Sequence, residues 1–71
     1  MSTEKTEENF AIGERIKEER DRLGLTQEEF GTRVGTTGRT IIKYELNETS
    51  PKAGNLILMH RLGVDIWYVL T

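Results

Sequence analysis

The segment 26–45 constrains the fold of this 71-residue chain more than any other part of the sequence. Thr26 is followed three residues later by Glu29, which is the spacing of a capping box and predicts the start of a helix. Phe30 and Val34 lie four residues apart and therefore share one face of that helix. The segment thus predicts a short helix with one apolar face.

A second short helix is predicted across a tight turn. Gly35 supplies the left-handed conformation that often ends a helix, and Thr37 can cap the next helix, which runs through Ile41 and Tyr44. Gly31 lies inside the first helix of this two-helix motif, where glycine costs roughly 1 kcal/mol relative to alanine. A close backbone approach explains it, because a Cβ would hold the second helix away. These features describe a helix-turn-helix, a motif that places its second helix in the major groove of DNA.

Other parts of the chain resemble a known family, the lambdoid phage repressor and Cro family, also called the Xre-like regulators. IGERIKEERDRLGLTQEEF, residues 12–30, resembles the family's first helix and its entry to the second. Glu45 with the polar loop up to Pro51 resembles the exit from the recognition helix, and LGVDIWYVLT resembles the closing helix. The resemblance covers about 12–70 and implies an all-α, compact five-helix bundle, a lambda-repressor-like DNA-binding domain.

Length and composition restrict the classes of protein that fit. The chain has room for one domain, which we divide into a flexible tail, residues 1–9, and a helix-turn-helix DNA-binding domain, residues 10–71. The absence of cysteine excludes disulfides and suits a reducing cytoplasm, either of a bacterium or of a phage host. No signal peptide is visible, and no apolar run approaches the ~18 residues needed to cross a bilayer.

The net charge of −2 is unusual for a DNA-binding domain, because neutralisation of phosphates dominates DNA affinity. The tail accounts for the deficit, since Glu4, Glu7 and Glu8 outnumber Lys5 by two. The remainder of the chain is neutral on balance, so the distribution of charge matters more than its sum. Weak non-specific DNA binding is expected.

The remaining helices are predicted from periodicity and caps. The first helix spans about Phe10–Leu23, with Ile12, Ile16 and Leu23 on one stripe. The fourth runs from Pro51 or Lys52 to about Arg61 and buries three residues: Leu56, Met59 and Ala53. Before the fourth helix, Asn47 can adopt a left-handed loop conformation, and Ser50 precedes the proline that can open the helix. Gly63 is predicted to end the fourth helix, and Asp65 to cap the N-terminus of the last one. VDIWYVL alone is compatible with a strand as well as a helix.

Two opposite charges fall on core-facing stripes. Arg20 follows Ile16 by four residues on the first helix, and Glu45 follows Ile41 by four on the recognition helix. This placement predicts a partly buried Arg20–Glu45 ion pair, and the resemblance implies an ion pair at the matching positions. The alternative is two solvated charges at the edges of the stripes.

The N-terminal residues of a recognition helix enter the groove first, so its outward positions are the candidates for reading bases. Arg39 and Lys43 share a face, and the arginine fork matches guanine O6 and N7. The full set of predicted base-reading residues is Thr37, Gly38, Arg39, Thr40 and Lys43. The alternative for the two cations is an ordinary solvated role. Gly38 stands where many relatives carry a base-reading side chain, so it removes a contact or lets the backbone come closer.

Gln27 opens the first helix of the motif beside free backbone amides, which is a natural phosphate site, and the resemblance implies the same use. The alternative is a helix-compatible surface residue. Three shorter side chains are further candidates for phosphate contacts, although capping and loop solvation also explain them: Thr36, Asn47 and Thr49. Glu48 lies where a basic residue would help to hold phosphate.

The rest of the sequence gives little sign of other chemistry. His60 is the single histidine and has no cluster of ligands around it, so a surface role is favoured over a metal site, and no nucleophile–base set indicates an enzyme. No cofactor or small-molecule ligand is expected. The closing helix carries more apolar residues than one face of a short helix can hold, and the excess indicates a surface that contacts a partner. The predicted dimer-interface residues are Ile66, Trp67, Tyr68 and Leu70, with Val69 adding to the apolar excess.

These observations favour a sequence-specific DNA-binding transcriptional regulator, a phage or prophage-type repressor. It is expected to bind a palindromic operator as a homodimer that forms mainly on double-stranded DNA. The alternative is a protein-interaction module of the same fold, such as an antitoxin or regulator subunit, which the acidic balance supports. A purely structural helical bundle would leave Gly31, Gly35 and the exposed basic pair unexplained.

Overall fold

The computed structural model of the chain describes the backbone of residues 2–71 and the side chains of residues 12–71. Along that backbone lie five helices and no strand: α1 (Ser2–Arg22), α2 (Gln27–Arg33), α3 (Gly38–Glu45), α4 (Ala53–Leu62) and α5 (Ile66–Leu70). The predicted all-α, five-helix fold is confirmed, and the ambiguous segment VDIWYVL is helical from Ile66. No helix of the described chain is long and apolar enough to span a membrane.

The bounds of α1 differ from the prediction. The helix begins at Ser2 rather than near Phe10, and it ends at Arg22, one residue before Leu23. Glutamate and lysine are good helix formers, and glutamate is favourable near the positive end of a helix dipole, so this stretch is compatible with helix. The predicted flexible tail 1–9 lies outside the residues whose side chains are described, and that domain boundary stays a prediction.

Side chains from all five helices meet in one core. Among residues 12–71 the buried hydrophobic residues are Ile16, Phe30, Val34, Ile41, Tyr44, Met59, Val64 and Val69. Ile12, Leu23 and Leu56 pack against this core, as their stripes predicted. The predicted burial of Ala53 was wrong, because the first turn of α4 lies at the surface and residues 52–54 are all exposed.

At four positions, residues predicted to end a helix, to begin one or to adopt a left-handed conformation do so. The backbone of Asn47 is left-handed with φ 61°, and Gly35 has φ 81°. Gly63 ends α4 with φ 115°, and the Asp65 side chain caps α5 by accepting from the backbone N of Tyr68 over 3.0 Å. The predicted start of α4 at Pro51 or Lys52 is shifted slightly, because Lys52 is the N-cap and Ala53 the first helical residue. Local signals therefore define most ends of the helices.

A buried carboxylate on α1 fixes the start of α5. Glu19, with a side chain only 9% exposed, accepts from the backbone N of Asp65 over 2.7 Å and from the Arg22 guanidinium over 2.8 and 3.1 Å. Arg22 also donates to the carbonyl of Gly63 over 2.7 Å. The hydrogen bonds from Arg22 lower the pKa of Glu19 below its ordinary value of 4.5, despite the opposing effect of burial. No local sequence pattern indicated this link between α1 and α5.

Candidate nucleic-acid interface

The helix-turn-helix is built from local caps and one close backbone approach. Thr26 and Glu29 form the predicted capping box, with hydrogen bonds of 3.0 and 2.9 Å. The Thr37 side chain caps α3 by accepting from the backbone N of Thr40 over 3.2 Å. A Cβ on Gly31 would lie 2.6 Å from the carbonyl oxygen of Thr37. Glycine therefore lets α2 and the start of α3 meet, as predicted.

The predicted ion pair Arg20–Glu45 is present and largely buried. Arg20 Nε donates to Glu45 Oε2 over 2.6 Å and Nη2 donates to Oε1 over 3.2 Å, while the two side chains are 11% and 6% exposed. Arg20 Nη1 also donates to the carbonyl of Leu25 over 3.0 Å. The hydrogen bonds to Glu45 raise the pKa of Arg20 above its ordinary value, so the guanidinium stays charged. The pair fixes the C-terminal end of α3 against α1.

Gln27 belongs to the same network, which the sequence did not reveal. Its Nε2 donates to Glu45 Oε1 over 3.0 Å, so the side-chain amide is held at the first residue of α2. This bond uses one of the two amide hydrogens and leaves the second hydrogen and Oε1 for another partner. The side chain is half-buried. The geometry is that of an oriented polar group beside a helix N-terminus, where an anion is favourable.

The outer face of α3 carries two exposed cations, Arg39 and Lys43. Neither side chain forms a hydrogen bond or an ion pair with any residue in the range 12–71. The nearby hydroxyls of Thr37 and Thr40 bond to each other over 3.2 Å, which leaves the hydrogen of the Thr40 hydroxyl free for an external acceptor. These four predicted base-reading residues run from the turn before α3 to its last turn, where Lys43 lies.

Gly38 differs from the expectation of an outward position. A Cβ on this residue would point at the backbone of α2, 2.9 Å from the Cα of Glu28. The description of Gly38 as outward-facing was wrong, because the first turn of α3 is packed against the first turn of α2. Glycine allows this close approach of α3 to α2. A role for its backbone in reading a base stays a prediction.

Two of the three shorter residues predicted to contact phosphate form hydrogen bonds within the protein, and the third is exposed. Asn47 Oδ1 accepts from the backbone N of Gly13 over 3.1 Å, so its carbonyl oxygen links the α3–α4 loop to α1. Thr36 is half-buried, and its backbone N donates to the carbonyl of Gly31 over 2.8 Å. Thr49 is exposed. Their contacts with phosphate stay predictions.

A polar groove of about 440 Å³ separates the outer part of α3 from the start of α4. Among its lining residues are Thr36, Thr40, Lys43, Thr49 and Lys52. Sequence reasoning missed Lys52, which is exposed and precedes a helix N-terminus that has no side-chain cap. Its position directly after a helix-opening proline was the available signal. The groove thus brings two lysines together with the hydroxyl-bearing side chains of three threonines, of Ser50 and of Tyr44.

The residues predicted for a dimer interface do not share one face. Trp67 is 78% exposed and Leu70 is also exposed, whereas Ile66 packs against the core. Tyr68 turns towards α1: its hydroxyl hydrogen-bonds to the Glu18 carboxylate, and its ring lies 5.1 Å below the guanidinium carbon of Arg15. The hydrogen bond with Glu18 raises the pKa of Tyr68. Tyr68 is therefore part of the α1–α5 packing.

An apolar groove of about 610 Å³ lies between α4 and α5. Trp67 and Leu70 line one side, and Ile57, which is exposed and was missed by sequence reasoning, lines the other. His60, at the edge of this groove, is exposed, and no group of metal-binding side chains occurs among residues 12–71. The apolar surface available to a partner is this groove rather than the whole of α5.

The chain is similar to known proteins over most of its length. A family model described as "Helix-turn-helix" matches residues 16–64, which includes the whole of α2, α3 and α4. The chain is 53% identical over 48 residues to an uncharacterized HTH-type transcriptional regulator of Methanothermobacter thermautotrophicus. That similarity covers 68% of this chain and 65% of the relative. No solved structure matches the chain significantly.

The matched range contains the capped turn and the Gly31 approach of the helix-turn-helix, together with the Arg20–Glu45 pair that the resemblance to Xre-like regulators implied. The chain therefore belongs to the helix-turn-helix family.

Proposed function

We propose that this protein is a sequence-specific, double-stranded DNA-binding transcription regulator of the phage or prophage repressor type, acting in the cytoplasm. The observation that carries the proposal is the exposed pair Arg39 and Lys43 on α3, since neither cation has a partner among residues 12–71. The similarity to an HTH-type transcriptional regulator supports it. The proposal requires no cofactor, no small-molecule ligand and no catalytic step.

In the proposed complex α3 enters the major groove by its N-terminal end. Arg39 donates two hydrogen bonds to O6 and N7 of a guanine, and Lys43 reaches a second acceptor one turn along the helix. The hydroxyl of Thr40 has a free hydrogen for a base acceptor. Such contacts specify sequence, each bidentate pair contributing about 1–3 kcal/mol of discrimination.

Phosphate contacts flank the reading surface in this proposal. Gln27 binds one phosphate from the start of α2, and Lys52, Thr36 and Thr49 bind another from the groove between α3 and α4. Because the net charge of the chain is −2, these contacts are few, and binding to random DNA is weak. Sequence-dependent contacts then contribute a large share of the affinity.

We propose further that two copies bind a palindrome with half-sites about 10 base pairs apart. The apolar groove with Trp67, Leu70 and Ile57 is the surface that supports pairing. A two-fold interface is self-complementary, and this one is small, so the dimer forms mainly on DNA.

The second candidate function is a protein-interaction module of the same fold. The apolar groove of about 610 Å³, with a Trp67 side chain that is 78% exposed, favours it. A module of this kind would bind its protein partner without salt-dependent affinity for duplex DNA. The unpartnered cations on α3 favour the DNA-binding function.

The deciding experiment is the selection of binding sites from a random duplex pool with the purified protein at low salt. A palindromic consensus whose affinity falls steeply with salt is the expected result. Arg39→Ala should lose discrimination at one guanine, whereas Gln27→Ala should weaken all sequences about equally. If no selected sequence outcompetes random DNA, the DNA-reading function is excluded.

A further inference from the structure

The exposed face of α3 is not only basic. Arg39, Ile42, Lys43 and Leu46 are spaced at i, i+3, i+4 and i+7, so they lie along one side of the helix and its C-terminal cap. All four are exposed, and Ile42 is 41% exposed. The reading surface proposed above therefore contains an aliphatic side chain between two cations.

Ile42 is not explained by the fold. The inward side of α3 is formed by Ile41 and Tyr44, and Ile42 is neither buried nor packed against the core. Isoleucine is also a poorer helix former than the straight-chain residues common on exposed helix faces. A single exposed isoleucine is ordinary on a protein surface. What distinguishes Ile42 is its place beside Arg39 and Lys43, on the side of α3 that faces the groove in the proposed complex.

We infer that Ile42 is a specificity-determining residue that contacts the C5-methyl group of a thymine in each half-site. This inference rests on the proposed DNA-binding function. The thymine methyl is the apolar group that the major groove presents, and an aliphatic side chain is its natural partner. Contact with an amino group of cytosine or adenine would desolvate that polar group without a hydrogen bond. Ile42 therefore selects thymine near the guanine that Arg39 reads.

The test starts from the site selected with the full chain and replaces each thymine in turn by deoxyuridine, which lacks only the methyl group. At one position per half-site, the parent protein should bind the uracil duplex about four-fold more weakly, which is ~0.8 kcal/mol for one buried methyl group. Ile42→Ala should bind the thymine and uracil duplexes equally, while its preference for guanine is retained. Leu46→Ala, an exposed aliphatic change on the same face, is the matched control and should keep the four-fold difference.

Each outcome decides between the inference and its failure. A selected site that contains no methyl-sensitive thymine overturns the inference but supports the proposed function. Ile42→Ala with undiminished sensitivity to uracil assigns the methyl contact to another residue and also overturns it. If no sequence is selected, both fail together. Because Ile42 lies outside the core, both variants should keep the parent's circular dichroism spectrum.

Discussion

Gln27, the first residue of α2, donates a 3.0 Å hydrogen bond to Glu45, the last residue of α3. Glu45 in turn accepts from Arg20 of α1 over 2.6 Å. The three side chains therefore connect α1, α2 and α3. A residue that would contact phosphate is thus oriented by a buried ion pair.

The first prediction concerns this orientation. Gln27→Ala and Glu45→Gln should each weaken binding to all duplexes by about 3–10-fold, on the order of 1 kcal/mol. Because the Gln27 amide is neutral, Gln27→Ala should leave the salt slope unchanged. The double variant should bind no more weakly than Gln27→Ala, because Glu45 acts on DNA through Gln27. Fluorescence anisotropy over a salt series measures this, on samples shown to be folded. Additive losses would mean that the two residues act independently.

The second prediction concerns stability. Arg20→Ala or Glu45→Ala leaves the other charge buried without its partner, so each should lower the free energy of unfolding by ~3–5 kcal/mol. Arg20→Met with Glu45→Leu should cost much less, since neither charge remains. Urea denaturation of the singles and the double gives the coupling. Additive effects below ~1 kcal/mol would indicate that both charges are effectively solvated.

The third prediction uses two helical glycines. Gly31→Ala places a Cβ 2.6 Å from the Thr37 carbonyl oxygen, so α3 must shift and stability should fall by about 1–3 kcal/mol. Gly54→Ala in α4 is the control, because its Cβ would meet nothing within 4 Å. That change should stabilise the protein by ~0.4–1 kcal/mol. Thermal unfolding compares the two, and equal effects would refute the close-approach explanation.

The fourth prediction follows from the lowered pKa of Glu19. A carboxylate with a depressed pKa in the folded state contributes stability that is present above its ordinary value of 4.5 and is lost as the pH falls through the folded pKa. Glu19→Gln should therefore destabilise the protein at neutral pH and flatten the loss of stability below pH ~4.5. Glu14→Gln, an exposed change on the same helix, is the control and should leave the acid limb unchanged. Urea midpoints measured across pH test this, and parallel curves for all three proteins would contradict it.

The fifth prediction concerns the apolar groove. Trp67→Glu should reduce affinity for the full palindrome by at least about ten-fold if the Trp67 contact contributes a typical ~1.4 kcal/mol or more to pairing. Binding to a single half-site should be unchanged, which provides an internal control in the same titration series. Tyr68→Glu is a less clean test, because Tyr68 also packs against Arg15 and Glu18. Unchanged affinity of Trp67→Glu for the palindrome would place the dimer contact elsewhere.

Several features were determined by the sequence alone because they depend on neighbours along the chain. The capping box Thr26–Glu29, the Thr37 cap and the left-handed Gly35 are defined within a few residues, and each was predicted and observed. Helical periodicity also placed Arg20 and Glu45 on inward stripes, from which their ion pair was predicted. Short-range spacing was sufficient in each case.

Tertiary structure decided the contacts between residues far apart in sequence. Gln27 bonds to Glu45 and Glu19 to the backbone of Asp65, and neither pairing is visible in local patterns. Packing of α5 on α1 likewise placed Tyr68 against Glu18 of α1 and left Trp67 without such a contact among residues 12–71, a difference that the apolar run in α5 did not specify. Helical periodicity predicts which residues share a face of a helix. Which residues that face contacts depends on how the helices are placed relative to one another.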